Sequence, residues 1–421
     1  MGLSREVVIT GLGVVCPLGI GRAPFWRSLV EGQSGVRRIS LADGNDLPCS
    51  IGGEVLDFKA GQYVQPRKNI KVMSREIQLA SAAAVIACEE ARLGGGAVAP
   101  ERVGVSFGAD MMPCELPEMV EAYRACMPNG KFEFSRWGNE ALPKLYPLWM
   151  LKYLPNMPAC HVAINRDARG PNNSPTLAEV SSLAAITEAT RVIQRGQADA
   201  MIAGGTGARL NPTTLARHNI YPLSRRGDPP AAACRPFDAG RDGMVHGEGA
   251  GAFVLEARES AEARGVAILA RVLGAAGAFE PHRNGQPLRG EAIATAIRRA
   301  LEDAGLGPGD IGHVNANGLS TIEDDAIEAQ AVRKTLGDVP VTAPKSYFGN
   351  LSAGTGAVEM AVSVLALQQG QVPPTLNYER PDPACPVNVI CGQAMAVDRP
   401  TAMLLNHART GQAIALVLGG R

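Results

Sequence analysis

Nine cysteines and six histidines are the side chains in this chain of 421 residues with the greatest capacity for nucleophilic attack and proton transfer. The cysteines (Cys16, Cys49, Cys88, Cys114, Cys126, Cys160, Cys234, Cys385 and Cys391) are scattered, odd in number and contain no Cys-x-x-Cys pair. That spacing suits neither a disulfide framework nor a zinc site, so reduced thiols and no bound metal are expected. Gly11-Leu12-Gly13 follows a strand pattern as in dinucleotide folds. Pro17 then stands where a helix should be running, and no Gly-x-Gly-x-x-Gly is completed, so no nucleotide cofactor is expected. The run Gly247-Glu248-Gly249-Ala250-Gly251 precedes a strand pattern rather than a helix and reads as close backbone packing. Ala203-Gly204-Gly205-Thr206-Gly207 ends a strand and could line a pocket, although a structural turn is the plainer reading.

The elements that must position these residues alternate along the chain. Strand patterns fall at 7–13, 103–107, 160–164, 200–203, 268–273, 312–316 and 413–418. Helix patterns fall at 24–30, 77–93, 179–194, 291–304, 323–336 and 356–369. The alternation predicts an α/β fold with helices covering a mixed sheet. Two halves are expected, 1–256 and 257–421, with an insertion in the first around 110–165. That insertion holds Trp137 and Trp149 and reads either as a surface insertion or subunit interface or as a packed subdomain. Lys and Arg total 41 and Asp and Glu total 41, which excludes the basic excess of a general nucleic-acid binder. No basic region followed by an apolar one opens the chain and no apolar run is long enough to span a bilayer, so a cytoplasmic location is expected.

Several segments together resemble the β-ketoacyl-acyl carrier protein (ACP) synthases of fatty acid and polyketide synthesis. They are VVITGLGVVCPLG at 7–19, RGPN at 169–172 and ADAMIAGG at 198–205. The longest is PLSRRGDPPAAACRPFDAGRDGMVHGEGAG at 222–251, followed by VNANGLSTIEDD at 314–325 and KSYFGNLSAGTGAVE at 345–359. The resemblance spans nearly the whole chain. It implies a duplicated thiolase-type fold of five layers, α-β-α-β-α, a dimer, and acyl carrier protein and acyl-thioesters as partners, with no cofactor. Chemistry in that family needs a cysteine thiolate at a helix N-terminus and two histidines that hydrogen-bond the thioester oxygen.

Carried over position by position, all three reactive residues are replaced. The nucleophile position falls at Glu179, and the two histidine positions fall at Asn317 and Asn350. Lys345 and Glu359, which accompany the second histidine motif, remain. In the C-terminal loop, NHARTGQA, Arg409 takes the place of the family's gating Phe, and Gly411 and Thr321 are carried over as substrate-binding positions. Cys160, expected on a strand with His161 facing the other way, offers no substitute nucleophile. These losses resemble those of the chain-length factors that pair with an active ketosynthase. A homodimeric acyl-thioester-binding protein is a second reading. A malonyl-thioester decarboxylase using Asn350, or an atypical carboxylate-based enzyme, is a third.

Overall fold

The computed structural model describes residues 5–40, 49–216, 220–282 and 287–421. The chain runs twice through the same sequence of elements. The first passage is β1 (Val7–Cys16), α1 (Arg75–Glu90), β2 (Val103–Gly108), α2 (Met157–Arg166), β3 (Asn172–Asn173), α3 (Ser181–Gln194), β4 (Ala200–Ala208) and β5 (Glu248–Ala257). The second is β6 (Ala270–Phe279), α4 (Glu291–Ala304), β7 (His313–Asn315), α5 (Ile322–Leu336), β8 (Pro340–Thr342), α6 (Thr355–Gln369), β9 (Thr401–His407) and β10 (Gln412–Gly419).

Strand order repeats as well. It is β3-β2-β4-β5-β1 in one half and β8-β7-β9-β10-β6 in the other, and β1 pairs antiparallel with β6 to join them. Within each half the first three strands are parallel and the last two antiparallel. Helices α1 and α2 cover one outer face, α4 and α5 cover the other, and α3 and α6 lie between the half-sheets. This is the five-layer thiolase-type arrangement.

The central helices explain their own composition. Twelve consecutive residues of α6, Thr355 to Ala366, are buried, so the helix is apolar all round rather than striped. The glycine-rich runs serve the same packing. A Cβ at Gly13 would lie 2.0 Å from the Ala83 carbonyl oxygen, because α1 rests directly on β1 there. The runs around 203–207 and 247–251 lie within β4 and β5, facing each other in register with Gly205 opposite Gly251. A Cβ at Gly207 would meet the Leu351 carbonyl oxygen at 2.2 Å. The missing side chains therefore let the 350–354 loop lie against these two strands.

One element departs from the sequence reading. The run at 160–164 belongs to helix α2, not a strand. Pro158 sits in the first turn, where its missing N–H costs nothing, and buried Ala159 and Val162 follow helical spacing. A five-residue apolar run does not by itself separate the two periods. His161 is accordingly buried beside half-buried Cys160 on one helix rather than across a pleat.

Gly13→Ala is expected to lower stability by about 1–3 kcal/mol, because the backbone of α1 must move away from the sheet. Gly94→Ala, with no atom within 4 Å of the added carbon, should leave the denaturation midpoint unchanged. Chemical unfolding of the two variants side by side measures the difference.

Candidate functional site

Glu179 lies on a 3₁₀ turn, Ala178–Val180, that leads into α3. Ala178 has a φ of 50°, a left-handed backbone that costs an alanine energy. The Ser181 hydroxyl holds the turn, accepting from the Leu177 N–H at 2.8 Å and donating to the Ala178 carbonyl at 2.7 Å. The carboxylate so placed is buried. Its Oε1 meets the Arg209 guanidinium at 3.1 Å and accepts from Asn350 Nδ2 at 3.1 Å. Burial pushes the acid up, but the charge of Arg209 and the hydrogen bond from Asn350 outweigh it and hold the carboxyl below its ordinary value.

Arg209 is itself buried and lies 3.5 Å from Asp110 Oδ2, with its guanidinium 5.0 Å over the Tyr221 ring. Asp110 accepts from the Ser352 hydroxyl at 2.8 Å. Tyr221 meets His246 edge-on at 5.1 Å. Burial, reinforced by Arg209, takes the His246 imidazole down to about 3, so it is neutral at physiological pH.

Asn350 is fixed on every side. Its backbone N–H donates to Val245 at 2.7 Å, and its carbonyl accepts from Gly247 at 2.9 Å. Its amide oxygen accepts from the Ser352 N–H at 2.9 Å and the Thr355 hydroxyl at 3.2 Å. That leaves the NH₂ end to face Glu179, so the donor that could serve a thioester oxygen is already engaged.

The remaining expected residues form a second buried cluster. Lys345 Nζ donates to Asn317 Oδ1 at 2.9 Å, to Glu359 Oε1 at 2.7 Å and to the Asn317 backbone carbonyl. Three acceptors match the three N–H bonds of an ammonium group. Asn406 Nδ2 donates to the other Glu359 oxygen at 2.7 Å and approaches Asn317 Oδ1 at 3.3 Å. Burial raises the Glu359 acid to about 7, against the pull of Lys345 and Asn406. Glu328 accepts the backbone N–H groups of Asn317 and Gly318 at 2.7 and 2.8 Å. Burial also raises Glu328, but His407 and those two N–H groups bring it below its ordinary value. His407 Nε2 stands 3.7 Å from Glu328, an ion-pair separation rather than a hydrogen bond.

Arg409, Gly411 and Thr321 gather elsewhere, around Asp324. The Thr321 hydroxyl donates to Asp324 Oδ2 at 2.7 Å, and Arg409 Nε lies 3.8 Å from the same oxygen. Gly411 makes the β9–β10 turn with a φ of 98°, and a Cβ there would lie 2.0 Å from the Glu280 carbonyl. Arg409 is half-exposed, whereas its neighbour Ala408 is buried in the central core with Val180 and Leu183.

Sequence reasoning did not find Arg209, Asp110, Asn406 or His407. Arg209 had a signal: it is the only charged residue between Asp199 and Arg217. A lone charge in such a run must find a buried partner or reach solvent. Burial pushes Cys16, Cys88, Cys234 and Cys385 up to about 12, away from the thiolate.

Two family models match: β-ketoacyl synthase, N-terminal domain, over residues 4–261, and β-ketoacyl synthase, C-terminal domain, over 269–379. A 3-oxoacyl-[acyl-carrier-protein] synthase 2 from Synechocystis sp. is 36% identical over 400 residues, covering 94% of this chain and 93% of the relative. The crystal structure of a β-ketoacyl synthase from Burkholderia phymatum superposes with a TM-score of 0.89 at 31% identity, covering 99% of this chain and 100% of the other. The ishigamide ketosynthase/chain length factor also superposes at 0.89, with 27% identity and full coverage of both chains. With matches over both halves, this chain belongs to the β-ketoacyl synthase family.

Proposed function

We propose that this chain is a non-condensing member of its family that acts as the partner subunit of an active ketosynthase and helps to hold an acyl chain delivered on acyl carrier protein. The observation that carries the reading is the Glu179 carboxylate held between Arg209 and Asn350. A carboxylate so bound is a poor nucleophile toward a thioester, and its acyl product would be a labile mixed anhydride. Asn317 and Asn350 have their polar atoms engaged and cannot move a proton near pH 7 as histidine does. The same engagement of Asn350 weighs against malonyl decarboxylation, which would need its amide free.

A second feature supports association. Large apolar side chains are exposed along the segment from 111 to 164, with Met111 and Phe134 each 74% exposed and Ile164 72%. A patch of this kind is expected to be covered by another chain. Dimerisation with an active synthase covers it, as does self-association, and self-association is the alternative reading of a homodimeric acyl-thioester-binding protein. The name of the Synechocystis relative supports acyl carrier protein as the source of the chain.

Incubated alone with acyl-ACP and malonyl-ACP, the protein should form no β-ketoacyl product above a level about 10⁶-fold below an active synthase. Turnover by the lone protein would overturn the reading. A Glu179→Cys variant should remain inactive, because the two asparagines still replace the histidines. Co-purification with an intact Cys-His-His synthase separates the heterodimer from the homodimer.

The ion pair also predicts a stability pattern. Because the folded Glu179 is held below its ordinary value, its contribution is fully present above about pH 4.5 and fades as pH falls through the folded value. Arg209→Ala leaves the buried charge unpaired and should cost about 3–5 kcal/mol at pH 7. With Arg209 gone, burial, the first cause acting on Glu179, is opposed chiefly by the Asn350 hydrogen bond, so the variant should lose stability as pH rises above about 4.5, opposite in sign to the parent. Adding Glu179→Gln should recover most of the loss. Denaturation midpoints between pH 4 and 8 read all three.

A further inference from the structure

A cavity of about 350 Å³ lies on the Arg209 side of the Glu179–Arg209 pair. Arg209 and Asp110, which touch at the reactive position, are both in its wall. So are Glu76, Thr206, Tyr221 and Ser352. Apolar side chains from the 110–165 segment, among them Met112 and Met119, form the opposite side. Met111 and Tyr123 line it while remaining exposed, so it opens on the same apolar face that association would cover.

The polar half of this wall is poorly matched to a hydrocarbon. Arg209 is more than nine-tenths buried, and its Nη1 has no hydrogen-bond partner among the described residues. Glu76, in the first turn of α1, is buried and lines the wall, and burial raises its carboxyl to about 7. Near neutral pH it therefore donates as well as accepts hydrogen bonds. A saturated chain filling the cavity would strip water from these groups and return nothing. A carboxylate-bearing chain would meet Asp110, which together with Glu179 already balances Arg209, and be repelled.

We propose that the cavity beside Arg209 receives an acyl chain bearing neutral oxygen atoms, carbonyl or hydroxyl, in preference to a saturated or carboxylated one. A carbonyl oxygen accepts from the free Arg209 N–H, while a hydroxyl donates to Asp110 or Glu76. The methionine side accommodates the intervening carbons, since flexible thioethers adapt to irregular chains. This assignment rests on the reading above that the protein holds acyl chains, and names which kind.

The test is calorimetric titration of the purified full-length protein with hydrolysis-proof pantetheine amides of equal length: octanoyl, 5,7-dihydroxyoctanoyl and 7-carboxyheptanoyl. The dihydroxy probe should bind at least about tenfold more tightly than either other probe. Glu76→Leu should reduce the preference over octanoyl, and Glu76→Gln should keep most of it. If the leucine variant fails to fold, the three probes on the parent protein still decide. Equal or tighter binding of the octanoyl or carboxylated probe, or binding of none, overturns the proposal. None of those results bears on condensation or co-purification, which test the partner-subunit reading separately.

Discussion

A carboxylate buried at the head of a central helix needs a counter-charge, and Arg209 supplies it to Glu179 at 3.1 Å. Much of the surrounding arrangement follows from that requirement. Arg209 must reach inward from the end of β4, and Asp110 and the Tyr221 ring flank it there. Asn350 must turn its NH₂ end toward the carboxylate, so its oxygen is tied to Ser352 and Thr355. A position suited by fold and strained turn to present a reactive group instead holds a closed electrostatic contact.

The scaffold that makes this possible is the repeated five-strand unit. Its two copies press α3 and α6 between half-sheets, and the site lies where the start of α3 meets the loop before α6. That approach is close enough to exclude side chains, which is why Gly205, Gly207 and Gly251 stand where they do. The Lys345–Glu359–Asn317–Asn406 cluster hydrogen-bonds within itself in the same confined space, while Asn406 Oδ1 has no partner among the described residues.

What was legible in the sequence divides along physical lines. The alternation of strand and helix anticipated the α/β architecture, and the motifs named Glu179, Asn317, Lys345, Asn350 and Glu359, which the fold gathers into two buried clusters, because both depend on local pattern. The 160–164 run was misread, since so short an apolar stretch fits either period and the helix-starting role of Pro158 decides it. Strands β8 and β9 escaped notice because buried strands beside long helices carry little alternation. Arg209 and Asp110 escaped for a different reason: they lie 30 and 69 residues or so from Glu179, and only folding makes them neighbours. Arg409 was placed by motif, yet its side chain leaves the core for Asp324 while Ala408 turns inward.

The proposed function requires that no group in this site carries an acyl chain covalently. Intact-mass measurement of the protein after prolonged exposure to acyl-ACP or an acyl-thioester tests it most directly. A single species at the unmodified mass is expected. An acyl adduct that maps to Glu179 or to any cysteine would contradict it.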